Sequence, residues 1–282
     1  MNQARRLWRA AEAVHAVTYF HPVCLDALTE LGTKGFWMGY FVGRMAPLGA
    51  VEPAVAEAVA FGFSPERPAR ALPDGWGYVA PADAVRVRAE AAAQALGVLG
   101  VPEPAPATLA NLEALRDAGR AGGHALGESN RRLGLSKEPL QRVWQLVTWL
   151  REQRGDDHVA LWVARGFDGC EANVLTTAVH GQDPDVLRLA RAWSTEDWEA
   201  AAARLTDRGL LDGAAPTAAG REEHRAIEAR TDELSLALYR RALADEEIEA
   251  LIEDLGRMAG PVLASGIYPS PNPMGLPVHP PS

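Results

Sequence analysis

Three groups of residues in this chain have types and spacings that could do chemistry. In the first, HAVTYFH, His15 and Tyr19 are four apart and His15 and Thr18 three apart, so a helix would put all three on one face. Histidine titrates near neutrality and tyrosine can donate to a developing oxyanion, so this pair suits general acid–base work. A hydrogen-bonded core histidine beside an aromatic ring is the structural alternative. In the second group, Trp37, Tyr40 and Arg44 lie in GFWMGYFVGRMAPLG, with Tyr40 and Arg44 again four apart. An arginine on an aromatic helix could grip a carboxylate, sulfate or phosphate with two parallel hydrogen bonds. It could equally form a buried ion pair or cap a neighbouring helix. The third group is Arg151, Arg154, Asp156, Asp157 and His158, followed by Glu171, Asn173 and His180. His158 and Glu171 would make a proton-transfer pair if they faced each other, whereas Asp156 or Asp157 could simply be an N-cap.

The chain carries eight tryptophans, enough flat amphipathic walls for a planar ligand or for filling wide spaces between helices. The expected catalytic set is His15, Tyr19, Arg44 and His158. The expected ligand contacts are Thr18, Trp37, Tyr40, Phe63, Trp149, Trp162 and Glu171. No phosphate-binding glycine loop, HExxH or GxSxG is present, so neither a cofactor nor a metal is expected. Cys24 and Cys170 form no CxxC and read as two small buried hydrophobes, with a nucleophilic or redox thiol as the alternative.

The elements that must position these residues are helical. Leu7, Ala10, Ala11, Val14 and Val17 recur at three and four over 3–19. Pro22 restarts the chain into a helix ending at Gly32. Gly39 and Gly43 are spaced to let another backbone approach the aromatic helix, which Pro47 and Gly49 end. Helices are expected over 51–60 and 81–99, with an aromatic loop carrying Phe63 between them. VPEPAPA at 101–107 is the best boundary, separating an N-terminal domain (1–100) from a C-terminal one (108–265). Helices follow over 108–121, 124–132 and 137–152, then, after a break at Gly155, over 156–165 and 168–180. The end, 266–282, reads as a proline-rich extended or disordered tail. Hydrophobic residues make up 48% of the 282, enough for a sizeable core. No 18-residue apolar run or signal peptide is seen, so a cytoplasmic location with no membrane partner is expected.

Residues 183–258 carry an ordered set of motifs. A helix (PDVLRLA) and a turn (RAWS) lead into TEDWEAAAARLTDRG, then LLDGAAPTAAGR and a long helix. The segment resembles the C-terminal part of MarR-type winged-helix proteins. The whole chain is also similar to a bacterial family described only by its helix-turn-helix, through HAVTYF, GFWMGYFVGRMAPLG and LREQRGDDHV. The resemblance implies a mainly α fold with short wing strands and, by analogy, a homodimer. Two Ala-rich helices, each after a tryptophan-bearing turn (ALPDGW and ARAWSTEDW), suggest tandem winged-helix-like halves.

Charge argues against the DNA binding that the resemblance would imply. Duplex binding needs local Lys and Arg to displace counterions, yet the chain has a net charge of -9. The reading helix opens with Thr195, Glu196, Asp197 and Glu199, and the wing shrinks to Asp212-Gly213-Ala214-Ala215. Seven acidic and four basic residues lie in 183–212. The expected function is therefore a small-molecule pocket between the halves, lined by the helices of 15–44 and 144–180. It would belong to a cofactor-independent enzyme of specialised metabolism. A MarR-type ligand-responsive regulator is the alternative, using a basic face around Arg67, Arg70, Arg86 and Arg88. A non-enzymatic module docking a partner through its acidic helices is a third reading.

Overall fold

The computed structural model describes residues 1–272 and 274. The fold is mainly α, as expected. Helix α1 (Gln3–His15) starts where the Asn2 side chain accepts the Arg5 N–H and buries Ala4, Leu7, Ala11 and Val14, the three-and-four stripe of the sequence. A kink at Ala16 leads into α2 (Val17–Phe20). The His21 side chain then accepts the Val23 N–H, and Pro22 opens α3 (Pro22–Glu30). The aromatic helix α4 (Gly35–Met45) follows, closed by a 3-10 turn over Ala46–Leu48. Three short helices, α5 (Pro53–Val59), α6 (Glu66–Ala71) and α7 (Asp74–Tyr78), lead to α8 (Pro81–Val98).

Beyond 101–105, α9 (Pro106–Asp117) and α10 (Ala125–Arg131) precede α11 (Pro139–Ala164). At 26 residues α11 spans about 39 Å and is the axis of the molecule, packing on α1, α8, α9 and α10. The break expected at Gly155 does not occur. Asp156 and Asp157, which read as N-caps of a new helix, serve α10 instead. Asp156 accepts the Gly127 N–H at 2.8 Å and Asp157 faces His124 Nε2 at 3.0 Å.

The C-terminal unit has the expected winged-helix order. It comprises α12 (Gly169–His180), α13 (Pro184–Arg191), α14 (Thr195–Asp207), strands β1 (Leu211–Asp212) and β2 (Ala215–Pro216), and α15 (Ala218–Ala242). The strands pair antiparallel, Leu211 with Pro216 and Asp212 with Ala215, so the wing is a minimal hairpin. In the N-terminal half the described residues contain no strand. Helix α16 (Asp245–Ala264) returns to pack along α1. The following segment does not begin as a free arm. Tyr268 is buried and donates to the Ala13 carbonyl. The rest of the expected tail, residue 273 and 275–282, lies outside the described residues.

The main core draws on both sides of 101–107, joining α1 and α8 to α9, α11, α15 and α16. A second core gathers Phe41, Val42, Met45 and Phe63 around α4, and a third joins Trp162 of α11 to α12, α14 and α15. Among the described residues no helix is long and apolar enough to cross a membrane.

Candidate functional site

Four helices present side chains to one space. Helix α1 with α2 supplies His15, Thr18 and Tyr19; α4 supplies Phe36, Tyr40 and Arg44; α11 supplies Trp144, Thr148 and Glu152, each one turn apart. Arg88 of α8 and Leu25 and Leu28 of α3 complete a cavity of about 160 Å3. Its deep end is formed by His15, Trp144, Thr148 and Glu152, all 2% exposed or less. The mouth lies at Thr29, Gly35 and Phe36, which are exposed. Gly39 and Gly43 sit on the wall, and what approaches them is a side chain rather than a backbone. A Cβ at Gly43 would lie 3.4 Å from Leu28 Cδ1, and one at Gly39 would lie 3.5 Å from Leu28 Cβ.

The hydrogen bonds fix the state of His15. Thr148 Oγ1 spends its one proton on the Trp144 carbonyl at 2.7 Å, so it accepts from His15 Nδ1 at 2.9 Å. Nε2 then carries the lone pair and accepts the Tyr19 hydroxyl proton at 3.2 Å. The imidazole stacks on Trp144, whose indole N–H holds the His15 carbonyl. Burial, aided by Arg151, pulls the His15 pKa well below the ordinary value, so the ring is neutral and Nε2 is a free base. Burial also raises the Tyr19 pKa, keeping the phenol protonated.

Beside this pair runs a charged chain. Arg44 donates through Nε and Nη2 to the two Glu152 oxygens, both at 3.1 Å, and through Nη1 to the Tyr40 hydroxyl at 3.1 Å. Arg151 donates to Glu152 at 2.7 Å and approaches Glu12 at 3.5 Å. Burial opposes the Arg44 charge, but Glu152, Tyr40 and Tyr19 outweigh it and hold the pKa well above the arginine value. Burial likewise opposes the Glu152 charge, and Arg151 and Arg44 overcome it, holding the carboxyl far below the usual range. Arg88 differs. Its Nη atoms donate to neutral oxygens, Gly43 O at 2.8 Å and Asn130 Oδ1 at 2.7 Å, and burial pushes its pKa down to about 10.

Of the residues expected from the sequence, His15, Thr18, Tyr19, Tyr40 and Arg44 line this cavity. The others lie elsewhere. Trp37 packs on Phe63 and under the Arg67 guanidinium, and Phe63 belongs to the second core. Trp149 is buried in the main core. His158 accepts the Trp162 indole N–H at 2.9 Å and faces Thr231 at 3.0 Å in a separate cluster beside Glu228. Burial pushes its pKa down to about 4. Glu171 completes the α12 capping box and binds Arg204, so no His158–Glu171 pair forms. The wall expected from 158–180 is therefore absent from the cavity, which α11 closes with Glu152 as its last residue.

Arg88, Trp144, Thr148 and Glu152 escaped the sequence reading as site residues. Their signal was present: a Thr and a Glu at four-residue steps from Trp144, within an otherwise apolar arc. The basic face expected around Arg67, Arg70, Arg86 and Arg88 does not gather: Arg67 lies over Trp37 and donates to the Leu189 carbonyl, and Arg88 turns inward. Arg70 pairs with Glu66, and Arg86 pairs with Asp83 and Glu90. Both thiols are buried, and burial pushes each up to about 12. Among the described residues no three or more His, Cys, Asp or Glu side chains converge as a metal ion would need.

The helix-turn-helix itself is complete. Ser194 and Asp197 cap α14 reciprocally, and Ala192 turns the chain with φ 60°. Glu196, Asp197 and Glu199 are exposed on α14. The four arginines of 183–212 are all engaged. Arg188 pairs with Asp185, Arg204 with Asp168 and Glu171, and Arg208 with Glu171, while Arg191 lies over the Phe63 ring. No curated protein and no solved structure matches the chain. A sequence profile described as a helix-turn-helix family matches residues 4–269, nearly the whole length, and the chain belongs to that helix-turn-helix family.

Proposed function

We propose that this protein binds a small organic molecule in the α1–α4–α11 cavity and acts on it by cofactor-free proton transfer, on a helix-turn-helix scaffold that no longer reads DNA. The observation that carries this reading is the His15–Tyr19 pair, a neutral base hydrogen-bonded to a phenol that faces the cavity. A proton leaving the bound molecule passes to the Tyr19 oxygen as the phenolic proton moves to His15 Nε2. The imidazolium so formed is held by Thr148 and by the nearby Glu152 carboxylate. In reverse the same pair protonates the ligand. The Arg44–Glu152 fork keeps Tyr40 in place on the opposite wall.

The test is a screen of small metabolites by thermal shift, followed by turnover assays on each hit. Tyr19→Phe is expected to retain binding and lose at least about 100-fold in turnover, the usual range for a general acid–base group. Unchanged binding and turnover in both His15→Gln and Arg44→Met would overturn the proposal.

A ligand-responsive regulator is the second reading, and one contact favours it. Arg191, the last residue of α13, neighbours the Tyr40 hydroxyl on the cavity wall. Ligand-dependent retardation of duplex DNA in low salt would establish that reading in place of the first.

A further inference from the structure

We infer that the ligand is a small planar monoanion, an ionised carboxylic acid of about one ring, and that Arg88 is the residue that selects its charge. This rests on the cavity being the binding site proposed above. Three charged side chains line the cavity, Arg44, Arg88 and Glu152. Arg44 and Glu152 neutralise each other through their two-bond fork. In the shell behind them Arg151 is shared between Glu152 and Glu12, while Arg191 lies over the Phe63 ring and beside the Tyr40 hydroxyl, outside the cavity lining. Among the residues that line the cavity, that leaves Arg88 as a full positive charge at 7% exposure whose hydrogen bonds go to a carbonyl and an amide oxygen. Its Nε is buried with no hydrogen-bond partner. A buried cation without a counterion is costly, and a ligand that brings one negative charge removes that cost. A dianion would overshoot the one uncompensated charge on the cavity lining.

Shape restricts the ligand further. A cavity of about 150 Å3 accommodates a benzene-sized body, and this one measures about 160 Å3. Phe36, Tyr19, Tyr40 and Trp144 give it aromatic walls, which favour a flat body over a puckered one.

The experiment is calorimetric titration of the full chain with benzoate and with benzamide, which share a shape and differ in charge. Phenyl phosphate and cyclohexanecarboxylate serve as the dianionic and puckered comparators. Benzoate is expected to bind at least about tenfold more tightly than benzamide, a charge-assisted hydrogen bond being worth that much, and more tightly than phenyl phosphate and cyclohexanecarboxylate. In Arg88→Gln the benzoate-to-benzamide ratio is expected to fall to about one, while benzamide affinity stays within about threefold. A merely structural role for Arg88 would weaken both probes together and leave the ratio unchanged, which overturns the assignment. The wild-type comparison needs no variant. Equal or tighter binding of benzamide to the wild type sinks the anion inference and leaves the cavity as a binding site. Binding of any probe that persists in the cavity-filling Gly39→Phe would instead sink the cavity itself. Failure of all four probes to bind overturns the ligand class.

Discussion

His15 is neutral because burial and the nearby Arg151 guanidinium disfavour its charge, and its two ring nitrogens are committed, one to a hydroxyl oxygen and one to a phenol. Its pH behaviour follows. The unfolded chain takes up a proton on this histidine near pH 6.5, whereas the folded chain resists until well below that. The unfolded state therefore binds more protons below about pH 6.5, and the stabilisation is complete above it and lost as pH falls. Urea denaturation at stepped pH is expected to show stability falling on the acid side, with up to about 1.4 kcal/mol per pH unit from His15 and a like share from His158, whose pKa burial also lowers. His15→Gln is expected to lessen that slope, and an unchanged slope would show that other groups set it. Thr148→Val removes the only acceptor of the Nδ1 proton at nearly constant volume, so it is expected to cost about 1–3 kcal/mol in the same assay. Arg44→Met strips one of two guanidiniums from Glu152. Breaking a buried pair costs about 3–5 kcal/mol, and the low end is expected because Arg151 stays 2.7 Å from the carboxylate.

At the scale of elements, the residues that could be read from the sequence are those whose partners lie one turn away along the chain, on one helix as for Tyr40 and Arg44 or across the Ala16 kink as for His15 and Tyr19. His15 with Tyr19 and Tyr40 with Arg44 sit one turn apart, and periodicity alone puts each pair on one face. The residues across the cavity could not be assigned this way, because Thr148, Glu152 and Arg88 gain their meaning only from which helices meet. Gly155 misled for a related reason. A glycine costs a helix about 1 kcal/mol, and burial of α11 between α1, α8, α9 and α10 outweighs that small local penalty. Another glycine carries more weight than its sequence context suggested. Gly169 opens α12 directly against the loop of the N-terminal half, where a Cβ would overlap the Phe61 carbonyl oxygen. Asn173 and Trp193 donate to Gly62 O in the same loop. Gly169→Ala must push α12 off this seat and is expected to cost about 1–3 kcal/mol. Gly134, with open space around it, is the control, and its alanine variant is expected to be near neutral. Equal effects of the two on Tm would mean that the Phe61 contact yields freely.

At the scale of the whole molecule, the helix-turn-helix is retained as architecture while its charges point away from duplex DNA. Recognition needs cations facing phosphates along the reading helix and wing. Here the exposed start of α14 carries Glu196, Asp197 and Glu199, and the wing turn offers only Asp212 as a charge. The arginines nearby are spent on Asp168, Asp185 and Glu171 or turned inward over Phe63. Freeing them would break the α12 cap and the seat of the helix-turn-helix on the N-terminal half, so induced fit offers no cheap route to a basic face. Gel retardation at about 50 mM salt, where phosphate contacts are strongest, is therefore expected to show no complex with duplex DNA at micromolar protein. Salt titration separates the outcomes. A protein gripping several phosphates would lose orders of magnitude in affinity between about 50 and 200 mM salt. A complex with that dependence, weakened by substitution of Arg188 or Arg204, would mean that these ion pairs open on contact with DNA and that the scaffold still reads it.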